Sequence, residues 1–193
     1  MRPAASPPPP SEISGIPGAA NQESGVTLHS ASAAQTRRLG LALGALLQPG
    51  DMILLTGDLG AGKTTLTQGI GAGMGVTGVI NSPTFTILKE YEGRMPLYHF
   101  DLYRIESPEE VYTLGFEDYF QGDGVSVVEW AERGEPEAPD ERPPWPDSAL
   151  RVIITNQGDA RRALHVRATG RRGAELARAW AQTADTANTS EEG

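Results

Sequence analysis

One run of eight residues, Gly57-Asp58-Leu59-Gly60-Ala61-Gly62-Lys63-Thr64, constrains this chain more than any other feature. It matches G-x-x-x-x-G-K-[ST] at every specified position. The pattern works only where a buried strand turns sharply into a helix. The glycines let the backbone curl with its N–H groups turned inward as an anion nest, and the helix start adds the positive end of its dipole. The flanks agree. Met52-Ile53-Leu54-Leu55 is a compact apolar run suited to a strand buried on both faces, and a helix is expected from Lys63 to about Met74. Gly57 through Thr65 are therefore the candidate nucleotide-binding residues, and with no guanine-reading N-K-x-D motif in the chain ATP is the expected nucleotide. Lys63 would reach the β- and γ-phosphates, and Thr64 would offer its hydroxyl to Mg²⁺. The chain contains 14 arginines and only two lysines, Lys63 and Lys89. A composition so tilted towards Arg still carries Lys here, because a compact ammonium fits inside the loop where a broad guanidinium does not.

A length of 193 residues fits a single domain. There is no cysteine, which excludes disulfides, thiolate nucleophiles and thiolate metal sites. No apolar run reaches membrane-spanning length, and the first residues have no signal-like apolar stretch, so a cytoplasmic location is expected. The formal charge of −9 disfavours unaided binding to a phosphate backbone. Residues 1–24, rich in Pro, Ser, Ala and Gly, read as a disordered tail, as does the polar segment 183–193. Residues 134–147, with five prolines, read as a surface loop. The ordered domain is expected over 25–182.

Within it, strands are expected at 26–29, 52–55, 84–91, 96–100, 125–128, 150–156 and 163–169. A helix capped by Ser30 or Ser32 runs to about Leu47, another starts at Ser107-Pro108 with Ser as its cap, and a last short one covers 174–182. Helices alternating with apolar strands indicate an α/β fold, a P-loop NTPase-like three-layer α/β/α arrangement around a central mixed, mostly parallel sheet.

A phosphate loop needs carboxylate support for magnesium and a group to position the attacking species. Asp101 and Glu129 each follow an apolar strand, which puts an acid at the sheet's C-terminal edge. Glu129 is the favoured metal ligand beside Thr64, and Asp101 the candidate for orienting water or supporting the metal's outer shell. Ser82 and Thr84, in Asn81-Ser82-Pro83-Thr84, suit a segment that senses the γ-phosphate. Trp130, next to Glu129, remains open between core, interface and adenine platform. His29, His99 and His165 are isolated and lack metal-ligand spacing, so they read as structural.

In order and spacing, GDLGAGKTT, SPTF, YHFDLYR, PEE followed by LGFEDYF, and VEW closely resemble the TsaE family over about residues 26–170. The resemblance implies a P-loop ATPase that serves the threonylcarbamoyladenosine modification beside the tRNA anticodon. It implies action on a complex of TsaD and TsaB, with tRNA reached only indirectly and no membrane involved. By the same resemblance Lys63 and Thr64 bind phosphate and magnesium, and Thr84, Asp101, Glu129 and Trp130 hold functional positions. The proline-rich start, the 134–147 loop and the polar end depart from the compact family pattern without touching a motif. Two other readings of the same loop are a small-molecule kinase and a nucleotide-binding scaffold without hydrolysis. Arg104 is the only basic residue between Arg94 and Arg133, so no arginine-rich lid accompanies the kinase reading in that stretch.

Overall fold

The computed structural model describes residues 25–189 apart from Thr84, Gln121, Glu137 and Pro139. The expected N-terminal tail and residues 190–193 therefore lie outside the described residues. The elements follow the order β1 (Val26–Ser30), α1 (Ala33–Leu46), β2 (Met52–Thr56), α2 (Lys63–Gly73), β3 (Leu88–Tyr91), β4 (Leu97–Asp101), α3 (Pro108–Thr113), α4 (Glu117–Phe120), β5 (Val125–Glu129), β6 (Ala149–Asn156), β7 (Arg162–Thr169) and α5 (Gly170–Thr189). A single 3₁₀ turn, Ala131–Gly134, follows β5.

The strands form one seven-stranded sheet in the order β1-β7-β6-β2-β5-β4-β3. β6, β2, β5 and β4 pair in parallel, while β3 and β7 run against their neighbours. The expected mixed, mostly parallel sheet is thus what forms. β2 lies between β5 and β6, both reached by crossovers, and ligand sites in such sheets sit at the carboxyl ends of strands where the order reverses.

Every residue of β2 is buried, and alternation divides them between two cores. Ile53 and Leu55 pack with Leu43, Leu66, Ile70 and Trp180 under α1, α2 and α5. Met52 and Leu54 pack with Phe100, Phe116, Phe120 and Val128 on the α3–α4 side. A strand covered on both faces has no polar face to show, which is why its sequence is a continuous apolar run. Ser32 caps α1: its hydroxyl accepts from Gln35 N at 3.1 Å, and the Gln35 side chain accepts from Ala31 N at 2.7 Å. These reciprocal bonds satisfy amides that the first turn leaves open. α1 and α2 cross with backbones almost touching, since a Cβ on Gly69 would lie 2.1 Å from the Arg37 carbonyl oxygen.

The boundaries differ from expectation in four places. The strand expected over 84–91 begins at Leu88, because Thr86 and Ile87 both donate their amides to the Pro83 carbonyl at 2.9 Å and Ile87 has φ of 66°. Those amides are spent on a turn and cannot join the ladder. Ser107 holds the N-cap position of α3, but its side chain makes no capping bond. The loop 134–147 is less superficial than its prolines suggest. Trp145 is buried beside Phe120 and donates its indole N–H to Glu135 at 2.8 Å. Finally, α5 extends from Gly170 to Thr189 rather than 174–182, entering the segment read as a polar tail. Trp180, Ala177 and Ala184 bury one stripe of it, and the Trp180 indole donates to Leu39 O at 2.9 Å. Tertiary packing and alanine's helix propensity outweigh the segment's polarity.

Candidate nucleotide and magnesium site

Where β2 ends, Gly57, Gly60 and Gly62 all take positive φ, at 134°, 77° and 112°. Gly57 leaves no room for a side chain, because a Cβ there would stand 2.3 Å from the Ile154 carbonyl oxygen on β6. At Gly62 the same test meets nothing within 4 Å, so that side of the loop is open. The β7 residue Arg162 braces the loop from behind, donating from Nε to Ala61 O at 2.9 Å. The curled backbone opens on a cavity of about 370 Å³, lined by Leu59, Gly60, Gly62, Lys63, Thr64 and Thr65 on the loop side, with Ser82, Asp101, Tyr103, Glu129 and Trp130 opposite. A larger cavity, about 700 Å³, shares none of these residues and lies along β6, β7 and the Arg142–Asp147 loop.

Lys63 is the first residue of α2 and only 5% exposed. Its ammonium donates to the carbonyls of Gly57 at 2.5 Å and Asp58 at 3.0 Å, and lies 3.5 Å from the centre of the Trp130 ring. Burial lowers its pKa from the usual lysine value, while the negative charges of Glu129, Glu132, Asp101 and Asp58 work in the opposite direction. A cation held this way on loop carbonyls and an aromatic face is positioned to exchange those weak partners for phosphate oxygens.

The two strand-end acids stand side by side, since Asp101 of β4 pairs in register with Glu129 of β5. Glu129 is 2% exposed and closely held. The Thr64 hydroxyl donates to its Oε2 at 2.9 Å, the Thr67 hydroxyl shares its one hydrogen between the Lys63 carbonyl at 3.0 Å and Oε1 at 3.2 Å, and His99 Nε2 meets Oε1 at 2.8 Å. Thr64 and Thr67 both reach it because residues three apart share a helix face. Asp101 accepts from the Ser82 hydroxyl on Oδ2 and from the Tyr103 amide on Oδ1 at 3.0 Å. Trp130 takes a left-handed backbone, φ 60° and ψ 40°, which swings its indole over Lys63 and against Tyr103 at 4.9 Å between centroids. It is neither buried core nor a free flank.

Gly57, Asp58, Leu59, Gly60, Ala61, Gly62, Lys63, Thr64, Thr65, Asp101, Glu129 and Trp130 thus converge on one end of the sheet, as their motifs suggested. Thr84 lies outside the described residues. The residues that sequence reasoning passed over are Thr67, His99 and Tyr103. A signal existed for two of them: Thr67 follows Thr64 by a helical i, i+3 step, and His99 precedes Asp101 by a strand's i, i+2 step.

The oxygen donors suit a hard divalent cation. Mg²⁺ is commonly held by one or two protein oxygens, with water and phosphate completing its shell. A threonine hydroxyl and a carboxylate 2.9 Å apart on the cavity wall meet that requirement. Among the described residues no cluster of three or more His, Asp or Glu could hold a metal by itself. Among those residues, too, no helix is long and apolar enough to cross a membrane.

Comparison with known proteins identifies the relatives of this chain. The sequence model of the family described as threonylcarbamoyl adenosine biosynthesis protein TsaE matches residues 30–164. The tRNA threonylcarbamoyladenosine biosynthesis protein TsaE of Bacillus subtilis is 45% identical over 139 residues, covering 72% of this chain and 82% of the relative. That of Streptomyces coelicolor is 40% identical over 153 residues, covering 77% and 95%. The crystal structure of Bacillus subtilis YdiB superposes with a TM-score of 0.71 at 34% identity, over 85% of this chain and 99% of that one. With a family match across the sheet from β1 to β7 and relatives aligned over most of their own length, the chain belongs to the TsaE family of tRNA threonylcarbamoyladenosine biosynthesis proteins.

Proposed function

We propose that this chain is the ATP-binding and ATP-hydrolysing component of the threonylcarbamoyladenosine machinery, working in the cytoplasm on a complex of TsaD and TsaB. The observation that carries the reading is the Glu129–Thr64 pair at the mouth of the phosphate loop, 2.9 Å apart beside Lys63. The amides of Gly60 to Thr64 would cradle the phosphates, and Lys63 would leave the Gly57 and Asp58 carbonyls for the β- and γ-oxygens. Thr64 and Glu129 would hold Mg²⁺, directly or through water. When bound, that ion offsets charge on the phosphoryl oxygens during transfer. Asp101, fixed on both oxygens by Ser82 and the Tyr103 amide, would orient the attacking water. The water oxygen bonds to the γ-phosphorus as the bond from that phosphorus to the bridging oxygen breaks, releasing ADP and phosphate.

Within the loop Gly57–Thr65, Lys63 is the only cation, and Arg104 is the one alternative in cis, which Arg104→Ala would test. Arg104 lies 6.0 Å from the exposed Phe85 ring, and Arg162 spends its Nε on Ala61 O. A missing finger-type cation is worth about 10³–10⁵ in rate. The chain alone should therefore hydrolyse ATP slowly and accelerate when TsaD and TsaB are added. Steady-state phosphate release at saturating ATP, with and without the heterodimer, tests this. No stimulation removes the partner-activated reading, and phosphate appearing on a small-molecule acceptor instead of in solution would establish a kinase. Asp101→Asn releasing phosphate at the wild-type rate in the full complex would take Asp101 out of the site.

A further inference from the structure

His99 occupies the middle of β4, and its neighbourhood gives it work that its isolation in sequence conceals. The His99 and Glu129 side chains are 0% and 3% exposed, with Nε2 and Oε1 2.8 Å apart. A carboxylate oxygen only accepts, so the hydrogen in this contact is carried by His99 Nε2. The other ring nitrogen, Nδ1, is buried with no hydrogen-bond partner. A buried polar atom without a partner costs free energy, so the position is not set by packing convenience alone. The ring aims its one useful donor at Glu129 and leaves the other nitrogen bare.

The two oxygens of Glu129 are treated differently. Oε1 takes both His99 and Thr67, and Oε2 takes only Thr64, the residue that faces the cavity. We infer that His99 is a positioning residue: by fixing Oε1 from inside the sheet, it aims Oε2 at the place beside Thr64 where a divalent cation would sit. The inference rests on the ATPase reading above and assigns to that site a residue behind the metal-binding carboxylate. Partners of this kind set ligand orientation, and losing one typically costs 10–100-fold in metal affinity.

The test uses two uncharged polar replacements of different reach. In His99→Gln the amide nitrogen falls where Nε2 sits. In His99→Asn it falls where Nδ1 sits and faces no acceptor. The full chain is loaded with a non-hydrolysable ATP analogue, and Mg²⁺ is titrated by calorimetry. His99→Asn should raise the Mg²⁺ midpoint about 10–100-fold, with analogue affinity in EDTA unchanged. His99→Gln should bring the midpoint back towards wild type. In the TsaD–TsaB assay, His99→Asn should lower kcat and leave KM for ATP in place. A wild-type midpoint in His99→Asn, or equal displacement of both variants, overturns the inference. Should circular dichroism show either variant unfolded, Thr67→Val removes the other donor to Oε1. It should displace the midpoint in the same direction by a smaller factor, and no displacement counts against the inference. Wild-type protein whose analogue binding ignores Mg²⁺ would overturn the ATPase reading together with this inference. Mg²⁺-dependent wild type with an indifferent His99→Asn overturns the role of His99 alone.

Discussion

Strand β2 separates two acid sites built on opposite logic. Asp51, just before its first residue, is closed by a guanidinium. Arg172 at the start of α5 donates from Nε to Oδ1 at 2.8 Å and from Nη2 to Oδ2 at 2.7 Å, and the Gln48 amide adds a bond at 2.8 Å. The same guanidinium reaches Leu46 O at 3.1 Å, so a single ion pair ties α5 to the connection between α1 and β2. Glu129, on β5 beside the other end of β2, is even less exposed, and among the described residues its side chain has only hydroxyls and an imidazole as hydrogen-bond partners. The nearby ammonium of Lys63 bonds to loop carbonyls instead. A carboxylate neutralised bidentately by Arg has no charge left to offer and acts as a clamp. One held by hydroxyls and an imidazole is oriented while its charge remains available to a cation. The difference shows that burial alone does not separate a structural acid from a functional one; the chemistry of the donors does.

That contrast can be broken from either end. The largest effect is expected from Glu129→Gln, which keeps the shape but removes the charge and one accepting oxygen. Phosphate release with partners present should fall by about 10²-fold or more, with thermal stability near wild type. A large loss of melting temperature with hydrolysis intact would make Glu129 the clamp instead. Next is Lys63→Ala. Losing a charge-assisted contact to phosphate costs about 1.5–3 kcal/mol, so calorimetric ATP affinity should drop roughly 10–150-fold with the fold retained. Equal affinity in mutant and wild type would refute the phosphate-loop assignment.

Asp51→Asn should give the reverse pattern. Weakening a mostly buried bidentate pair should cost about 2 kcal/mol, or roughly 4–8 °C in Tm for a chain of this size, with hydrolysis by the remaining folded protein unchanged. Loss of Mg²⁺ dependence in that variant would erase the distinction between the two acids. The smallest effect concerns pH. Burial lowers the Lys63 pKa in the free protein, and a bound phosphate would raise it again. Binding then favours the protonated lysine. ATP affinity should be level on the acid side of the free-state pKa and decline as pH rises through it, earlier than for an ordinary lysine. Calorimetry across neutral to alkaline pH checks this, and affinity that increases on the alkaline side would contradict it.

The phosphate loop was fully legible in the chain, because its chemistry is local. Three glycines, a lysine and a threonine at fixed spacing after an apolar strand have one mechanical use, and Gly57 to Thr64 adopts it. Asp101 and Glu129 were legible as strand-end acids for the same reason, since an apolar run ending in a carboxylate places it at the sheet edge whatever the rest of the fold does. Sequence reasoning fared worse where long-range packing outweighs local composition. The polar stretch after Gln182 continues as helix because Trp180 and Ala184 find a core to enter. Trp145 is drawn inward from a proline-rich loop by Phe120 and Glu135.

The sequence by itself determined that a glycine-rich loop carrying Lys63 turns at the end of β2, and which two acids stand near. Only the tertiary structure decided how those acids are held. Thr67 and His99 lie 62 and 30 residues from Glu129, and their local spacing puts them on the faces of Thr64 and Asp101 without showing that both meet that one carboxylate. The parallel register of β4 on β5 and the packing of α2 across the sheet bring all three to one carboxylate. Hydrogen bonds act over about 3 Å, so contacts between distant parts of a chain exist only once the sheet has set its strand order.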